Sequence, residues 1–329
     1  MARPLRIQYP GAIYHVTCRG NERRNIFQDD GDRKTFLRLL FQSLNIYTVK
    51  LHAYVLMDNH FHLLVETPLG NLGEFMRHFN ISYTGHFNRQ HRRVGHLYQG
   101  RYKSILVEKE AYLSALSRYI HLNPVRIQRL EKSEVKAKWQ ELLRYSWSSL
   151  PGYLDPRRRD GMVDHDPILA DYGGDSDNGR SAYRKQLMAD IAAGLEVNSA
   201  IFGQSILGGE EFINWVKENF LEEKEQHEQP SAEKIKRYQQ KGVILGLLKK
   251  ETGKSLETLR KEKGDLRRLA MELLYRYGGL KGPEIGALFG VTYSAVSQER
   301  RRLRERVVLD GKLQNMLERV IDELSTIKI

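Results

Sequence analysis

Thiols are almost absent from this chain, which has a single cysteine, Cys18, among its 329 residues. One cysteine excludes a disulfide framework and a cysteine-rich zinc site. No apolar run approaches the roughly 18 residues that a membrane span requires, and the first residues lack the pattern of a signal peptide. We therefore expect a soluble, cytoplasmic protein that is long enough to form two domains.

Acidic residues are in the minority, with 41 Asp and Glu against 53 Lys and Arg, which gives a net charge of +12. The excess is uneven: residues 1–130 carry +10, residues 131–230 carry −7, and residues 231–329 carry +9. Basic blocks on both sides of an acidic one favour nucleic acid as the partner and association with the nucleoid. The alternative is a basic surface that only keeps the protein in solution.

The hydrophobic pattern predicts an α+β fold. Apolar alternation and helical periodicity give the order β-α-β-β-α-β-α, with strands over 12–19, 49–57, 60–66 and 101–108 and helices over 32–47, 72–90 and 109–124. This order is that of a ferredoxin-like antiparallel sheet with helices on one face. We predict three segments: this sheet domain (1–130), an irregular and helical extension with an acidic linker (131–230), and an all-α domain (231–329).

Two histidines stand one residue apart in the strand "MDNHFHLLVE". Residues i and i+2 of a strand point to the same face, so His60 and His62 project side by side. Two neutral imidazoles directed at one point form half of a divalent-metal site. The simpler alternative is a pair of half-buried polar residues. Glu66 continues the same face and is a candidate hydrogen-bond partner of the pair.

The helix in "SRYIHLNPVR" offers a nucleophile and a further ligand. Tyr119 and Asn123 are spaced i, i+4 and share a helix face. If this face covers the sheet, the amide oxygen of Asn123 becomes a third ligand to Mg²⁺ or Mn²⁺, and Tyr119 attacks a phosphodiester that the metal polarises. Tyr112, two turns earlier, is the rival nucleophile, and a buried core tyrosine is the alternative role for Tyr119. We expect His121, on another face, to be structural or to face the substrate.

The segment "KGPEIGALFGVTYSAVSQERRRLRERV" has the features of a helix-turn-helix. Gly286, Gly290 and Val296 stand at the spacing that the crossing, the turn and the apolar anchor of this motif require. An arginine run follows as a phosphate-binding face. An ordinary helical hairpin with a solvated basic end is the alternative.

Three ordered motifs, "GAIYHVTCRGNERRNIF", "MDNHFHLLVE" and "RYIHLNPVR", resemble those of the REP-associated tyrosine transposases, relatives of the single-tyrosine HUH transposases. The resemblance covers roughly residues 3–150. It implies an HUH nuclease fold, a divalent metal and action on single-stranded DNA folded as a hairpin. By position it makes His60 and His62 the histidine pair, Tyr119 the nucleophile and Asn123 the third ligand, where many relatives have glutamine. The C-terminal segment looks similar to the helix-turn-helix of the replication initiator DnaA.

Basic residues near these motifs are the candidate DNA contacts. Those predicted in the sheet domain are Arg3, Arg6, Arg19, Arg23, Arg24, Arg92, Arg93, Arg101, Lys103 and Arg126. Those predicted in the C-terminal domain, for duplex DNA, are Tyr293, Ser294, Ser297, Arg300 and Arg301. Tyr9, Tyr98 and Tyr102 are candidates for stacking on unpaired bases.

The favoured function is a single-strand DNA nickase and strand transferase that forms a covalent 5′-phosphotyrosine intermediate. Two alternatives stay open: a metal nuclease whose nucleophile is water, and a non-catalytic, sequence-specific DNA-binding regulator. A regulator has no need of His60, His62, Tyr119 and Asn123 together. The sequence is compatible with a monomer or a homodimer.

Overall fold

A computed structural model describes residues 6–127, 130, 133–197, 201–220, 238–307 and 309–326. The chain forms two compact units that divide at residue 198. Each unit is described separately below. The three-segment domain organisation remains a prediction, and its acidic linker around residues 221–237 lies outside the described residues.

The first unit begins with the element order predicted from the sequence. Its elements are β1 (Ala12–Arg19), α1 (Asp30–Tyr47), β2 (Lys50–Met57), β3 (His60–Thr67), α2 (Leu72–Gln90), β4 (Lys103–Val107) and α3 (Lys109–His121). Helix α1 begins where the Asp29 carboxylate accepts a hydrogen bond from the backbone N–H of Asp32, an N-cap that satisfies an otherwise unpaired donor. The α+β class is confirmed.

The four strands form an antiparallel sheet in the order β2-β3-β1-β4. Strand β3, which carries the histidine pair, therefore lies between β2 and β1 in the interior of the sheet. In the register of β1 against β3, Thr17 lies opposite His62 and Arg19 lies opposite His60. Directly paired residues share a face of the sheet. The alternate residues of β1, His15 included, thus lie on the histidine face.

The opposite face of the sheet packs against α1 and α2 through aromatic rings. Phe36 of α1 is fully buried, and its ring centroid lies 5.0 Å from that of Phe61 in β3 and 4.8 Å from that of Phe79 in α2. Truncating such a phenylalanine to alanine costs about 3–5 kcal/mol. The predicted arrangement, with helices on one face of the sheet, thus holds for α1 and α2. Helix α3 lies on the other face, because its Tyr119 contacts the histidine rings.

The extension after α3 is more regular than predicted and covers the free edge of β2. Its helices are α4 (Val135–Arg144), α5 (Leu150–Leu154), α6 (Asp166–Leu169) and α7 (Asp177–Ala193). The backbone N–H of Leu56 donates to the carbonyl of Trp147 at 2.8 Å, and that of Asp164 donates to the carbonyl of Leu51 at 2.8 Å. These bonds occupy backbone groups that an exposed edge strand leaves open to association.

The second unit is mostly helical. It contains the short strands β5 (Ile201–Phe202) and β6 (Ile206–Leu207), followed by α8 (Glu210–Phe220), α9 (Lys241–Thr252), α10 (Leu256–Lys261), α11 (Asp265–Arg276), α12 (Gly282–Phe289), α13 (Tyr293–Val307) and α14 (Gly311–Thr326). Among the described residues, no helix is both long and apolar enough to cross a membrane.

Helices α12 and α13 are joined by a turn of three residues that depends on two glycines. Gly290 has φ +66°, in the left-handed region where glycine carries no steric penalty. A Cβ atom on Gly286 would lie 2.6 Å from the carbonyl oxygen of Val291, so only glycine lets the turn approach α12 this closely. Val296 of α13 is 1% exposed and anchors the pair in the core. The two helices and the glycine turn that the spacing predicts are therefore present, and the assignment of this pair as a DNA-binding helix-turn-helix stays a prediction.

Candidate metal centre and nucleophile

The histidine pair lies at the start of β3, immediately after the two-residue turn from β2. His60 is half-buried, His62 is 8% exposed, and their ring centroids lie 5.1 Å apart. The alternation of a β-strand places both rings on one face of the sheet. This agrees with the arrangement inferred from the spacing of the two residues.

Each histidine uses its Nδ1 atom in a hydrogen bond within the protein. Nδ1 of His60 lies 2.6 Å from Oδ1 of Asn59, and Nδ2 of Asn59 donates to the carbonyl of Arg23 at 3.0 Å. Because the amide nitrogen is committed to Arg23, His60 must be the donor to Asn59. The His60 Nε2 atom therefore keeps its lone pair. Nδ1 of His62 lies 2.8 Å from Nε2 of His15.

Burial keeps this cluster uncharged at neutral pH. Loss of solvent lowers the pKa of His15 to about 4 and, with a smaller repulsion from Arg19, that of His60 to about 4. The pKa of His62 falls well below its usual value, first through burial and then through repulsion by its histidine neighbours. A metal requires the neutral form of imidazole, so the environment favours the ligating state.

Tyr119 lies on α3 above this cluster. Its ring centroid is 6.1 Å from that of His15 and 6.4 Å from that of His62, with the rings edge to face. The Arg126 guanidinium lies 4.7 Å from the centroid of the Tyr119 ring, and Arg126 also pairs with Glu196 at 2.7 Å. Tyr119 is half-buried, so the candidate nucleophile is at the surface of the unit and adjoins the histidine face.

Asn123 lies just beyond α3, which ends at His121, three residues before the predicted end at residue 124. The residue before a proline is restricted in the helical conformation, and Asn123 instead begins a 3₁₀ turn with Pro124. Its Nδ2 donates to the carbonyls of Tyr119 at 3.0 Å and Ile120 at 3.3 Å. The side chain thus caps the helix that carries Tyr119, and Oδ1 is the atom left for a metal.

The side chains proposed to hold a divalent cation are those of His60, His62 and Asn123. Within the described residues no group of three or more His, Cys, Asp and Glu side chains is arranged to hold a metal. The proposed ligand set contains only two residues of these types, both histidines, because its third member, Asn123, binds through an amide oxygen. The Nε2 atom of His60 is available, that of His62 depends on the tautomer, and both rings are neutral. These residues fit a divalent ion; the ligand role of Asn123 stays a prediction.

Glu66 does not partner the histidine pair. Its carboxylate lies 3.4 Å from Nε2 of His52, 3.4 Å from Nζ of Lys109 and 3.9 Å from Nζ of Lys50. The hydrogen bond to His52 is the largest cause that lowers the pKa of Glu66 to about 2, and burial opposes it. Because Lys109 is the first residue of α3, Glu66 fixes the start of this helix to β3.

His121 has the structural role that was one of its two predicted possibilities. It is fully buried; its Nδ1 lies 2.8 Å from the Tyr183 hydroxyl, and its Nε2 lies 2.7 Å from Oγ of Ser149. Tyr183 belongs to α7 and Ser149 immediately precedes α5. The bonds therefore fix the end of α3 to two parts of the extension.

Several predicted DNA contacts lie beside the histidines. Arg19 is exposed and lies opposite His60, and Lys103 is exposed and lies opposite Thr17 on the same face. Arg23 and Arg24 are exposed in the following loop, where Arg23 has φ +61°. A non-glycine residue in this region is strained, and the bond from Asn59 to the Arg23 carbonyl helps to hold it.

The other basic residues of this unit that we predicted to contact DNA differ in their exposure and in their contacts. Arg92 and Arg101 are exposed, while Arg93 packs over the Phe87 ring at 5.5 Å. Arg6 lies 3.9 Å from the centroid of the Tyr102 ring and donates to the Tyr102 carbonyl at 3.2 Å. Arg3 lies outside the described residues.

Two of the tyrosines proposed to stack on bases are buried. Tyr98 is 7% exposed and Tyr102 is 8% exposed, so their rings are not accessible to unpaired bases. Tyr9 is half-buried. The Tyr98 ring lies 6.1 Å from that of Phe61, and the Tyr102 ring lies beneath Arg6, so partners distant in sequence account for the difference.

The predicted contacts on α13 divide into two groups. Tyr293, Ser294 and Ser297 are exposed, and the side chain of Arg301 is 79% exposed. Arg300 is turned inward: it pairs with Glu272 at 2.7 Å and lies 3.3 Å from the centroid of the Tyr275 ring. Its charge is thus committed within the unit, and it is not placed to bind phosphate.

Sequence reasoning missed His15, although a signal was present. In "AIYHVTCR" the polar or charged residues His15, Thr17 and Arg19 alternate with Tyr14, Val16 and Cys18. Their period of two assigns them to one face. Pairing of β1 with β3, which the topology requires, then brings this face to the histidines.

Comparison with known proteins agrees with the site. The sequence model of the family described as "Transposase IS200 like" matches residues 8–123, which include β1, both β3 histidines, Tyr119 and Asn123. The match covers 116 of the 329 residues of the chain. A solved structure of a REP-associated tyrosine transposase bound to a REP hairpin is similar at 15% identity and TM-score 0.37, over 50% of this chain and 90% of that one. No curated protein sequence matches the chain.

Proposed function

We propose that this protein is a metal-dependent single-stranded DNA endonuclease and strand transferase that forms a covalent 5′-phosphotyrosine intermediate on hairpin DNA. The observation that carries the proposal is the placement of Tyr119, whose ring lies edge to face with His15 and His62 above the face that also holds His60. The match of residues 8–123 to the model of a transposase family supports the reaction class.

His60, His62 and Asn123 would hold Mg²⁺ or Mn²⁺. When bound, the ion supplies Lewis-acid polarisation of a phosphodiester and stabilises the charge that develops at phosphorus. The buried neutral histidines provide ligands that need not lose a proton first. Asn123 also caps the helix of the nucleophile, so the proposed ligand and Tyr119 are held in one local structure.

Tyr119 acts as the nucleophile in this proposal. Its phenolic oxygen forms a bond to phosphorus while the bond from phosphorus to the 3′ oxygen breaks. The phenol loses its proton and the departing 3′ oxygen gains one, so the strand ends in a free 3′ hydroxyl and a phosphate ester of Tyr119. The bond energy is retained, and attack by a 3′ hydroxyl reverses the step. Arg126 lies over the Tyr119 ring and pairs with Glu196, so its role in this proposal is to hold the ring in place.

Single-stranded hairpin DNA is the proposed substrate. The family resemblance implies it, and the similar solved structure is described as bound to a REP hairpin. Arg19, Arg23, Arg24 and Lys103 present positive charge on or next to the histidine face, where they can contact phosphates. The protein would act as a monomer or a homodimer.

The second unit is proposed to bind duplex DNA. Ser294, Ser297 and Arg301 are exposed at a spacing of three and four residues, so they form one face of α13 with Tyr293 at its start. A second helix presented in this way is the element that enters the major groove in helix-turn-helix proteins.

The decisive test is a comparison of two tyrosines in the full-length protein. Fluorescent hairpin oligonucleotides and Mg²⁺ are incubated with the parent, Tyr119→Phe and Tyr112→Phe, and adducts are resolved on a denaturing gel. We expect the parent and Tyr112→Phe to form a covalent adduct, since Tyr112 lies about 10 Å away along the helix axis. Tyr119→Phe should neither cleave nor form an adduct.

The alternatives predict other outcomes in the same assay. If water is the nucleophile, the Tyr119→Phe variant still cleaves the DNA, and the parent protein forms no covalent adduct. A regulator would bind DNA without cleavage in any variant. An adduct whose labelled peptide contains Tyr112 would refute the assignment of Tyr119 and, with it, the proposed role of Asn123.

A further inference from the structure

We propose that His15 is a positioning residue that fixes the tautomer of His62, so that the Nε2 lone pair of His62 faces the metal. The inference rests on the proposed function, since it concerns a ligand of the proposed metal. It assigns a role to a histidine outside the His-x-His pair and on a different strand.

The contact between the two rings allows only one hydrogen. Nε2 of His15 and Nδ1 of His62 are 2.8 Å apart, so one nitrogen donates and the other accepts. If His15 donates, neutral His62 carries its own proton on Nε2 and cannot bind a metal through that atom. If His62 donates from Nδ1, its Nε2 is a free ligand. Metal binding by His62 through Nε2 therefore requires His15 to act as the acceptor.

The neighbouring ligand shows the same arrangement with a different acceptor. Nδ1 of His60 donates to the amide oxygen of Asn59, whose orientation is fixed by its bond to Arg23. Both candidate ligands thus use Nδ1 within the protein. An acceptor at this position commonly sets the orientation and basicity of a ligating histidine.

His15 is buried at this contact. It is 5% exposed, and its ring lies nearly parallel to that of His62, with centroids 5.0 Å apart and an interplanar angle of 18°, as expected for two rings that meet edge to edge through the hydrogen bond. The Tyr119 ring contacts the same ring of His15 at 6.1 Å. His15 therefore touches both the proposed ligand and the proposed nucleophile, and its removal leaves the Nδ1 proton of His62 without this acceptor in a buried site.

Two substitutions of His15 separate the acceptor role from packing. His15→Leu fills the space but cannot accept a hydrogen bond, whereas in His15→Gln the amide oxygen can occupy the position of Nε2. His96→Leu, at an exposed histidine, is the matched control. All variants are made in the full-length chain, and thermal unfolding establishes that each is folded.

The first readout is the tautomer of His62 without metal, from two-dimensional ¹⁵N NMR of protein labelled at histidine and assigned with His62→Gln. We expect protonated Nδ1 in the parent, in His15→Gln and in His96→Leu, and a shift of the proton toward Nε2 in His15→Leu. The second readout is Mn²⁺ affinity from the electron paramagnetic resonance of free Mn²⁺. We expect a loss of about 10–100-fold in His15→Leu and recovery in His15→Gln.

The two readouts distinguish failure of the inference from failure of the proposed function. An Nε2-protonated His62 in the parent, or an unchanged tautomer in folded His15→Leu, overturns the role of His15. Unchanged Mn²⁺ affinity in His15→Leu overturns it as well. A parent that has the expected tautomer but binds no Mn²⁺ contradicts the proposed metal dependence, while the control of the His62 tautomer by His15 stands.

Discussion

His121 offers a quantitative test of how the nucleophile helix is held. It is fully buried and bridges the hydroxyls of Tyr183 and Ser149 at 2.8 and 2.7 Å. We consider His121→Phe, which keeps a planar ring of similar size and removes both nitrogen atoms. The change eliminates two buried hydrogen bonds that join α3 to the extension.

The loss of stability in His121→Phe depends on the hydrogen-bond partners that the Tyr183 and Ser149 hydroxyls retain. Tyr183 retains a contact with Ser117 at 3.0 Å, and Ser149 still accepts from the backbone N–H of Tyr54 at 2.9 Å. Neither oxygen is therefore left without a partner, and the loss is near one net hydrogen bond for each plus some desolvation, about 2–4 kcal/mol in total. For a unit of this size we expect the midpoint of thermal unfolding to fall by about 5–12 °C.

Thermal unfolding followed by circular dichroism, with guanidinium unfolding as a second measurement, gives the difference between parent and variant. His96→Phe, at an exposed site, should stay within about 0.5 kcal/mol of the parent. Tyr183→Phe removes the shared hydroxyl, so the double variant should be less destabilised than the sum of the single ones. A His121→Phe protein as stable as the parent, or full additivity with Tyr183→Phe, would refute the bridging role.

Other contacts give further predictions. Glu66→Gln should lower the free energy of unfolding by about 1–2 kcal/mol at pH 6. This stabilisation is complete above the ordinary pKa of 4.5 and is lost as the pH falls toward about 2, so urea unfolding at pH 3 should show a smaller difference. Arg301→Ala should reduce the salt dependence of duplex binding by about one unit of slope, measured by fluorescence anisotropy; an unchanged slope removes Arg301 from the interface. Arg300→Ala should instead lower the stability of the second unit, seen in its unfolding curve, because Glu272 loses its partner; a loss of DNA affinity at unchanged stability would contradict this. Gly290→Ala should destabilise that unit by about 1 kcal/mol through its positive φ, and a variant as stable as the parent would disagree with the turn geometry.

Much of the first unit could be predicted because its signals are local. β-Branched and aromatic content located β1, an apolar run located β3, and the bounds of α2 agreed with the predicted range 72–90. The position of the histidine pair on a central strand followed from the order of elements. The sequence left it as a condition that the Tyr119 face of α3 covers the sheet, and the structure places the Tyr119 ring beside His15 and His62.

The rest depended on partners distant in sequence. Glu66 pairs with His52 and Lys109 because of a register and a helix position that periodicity does not specify. His15 meets His62 only through the pairing of β1 with β3. Arg300 turns inward because its partner Glu272 lies on α11, which packs against α13. In each case the residue type predicts only a charge or a possible ligand. The neighbour in the folded structure determines whether that group forms an internal contact or faces a partner.

The covered edge of β2 has a consequence for the smallest piece of this protein that can fold. The segment that matches the transposase family ends at residue 123, yet the backbone groups of Leu51 and Leu56 bond to residues 164 and 147. A fragment of residues 8–123 would expose these backbone groups and lack the hydrogen-bond partners of His121, Tyr183 and Ser149. The edge of β2 would then be open to association with other chains, and α3 would lose its attachment to the extension. The family match and the compact unit therefore end at different residues, and an expression fragment intended for crystallisation should extend to residue 198.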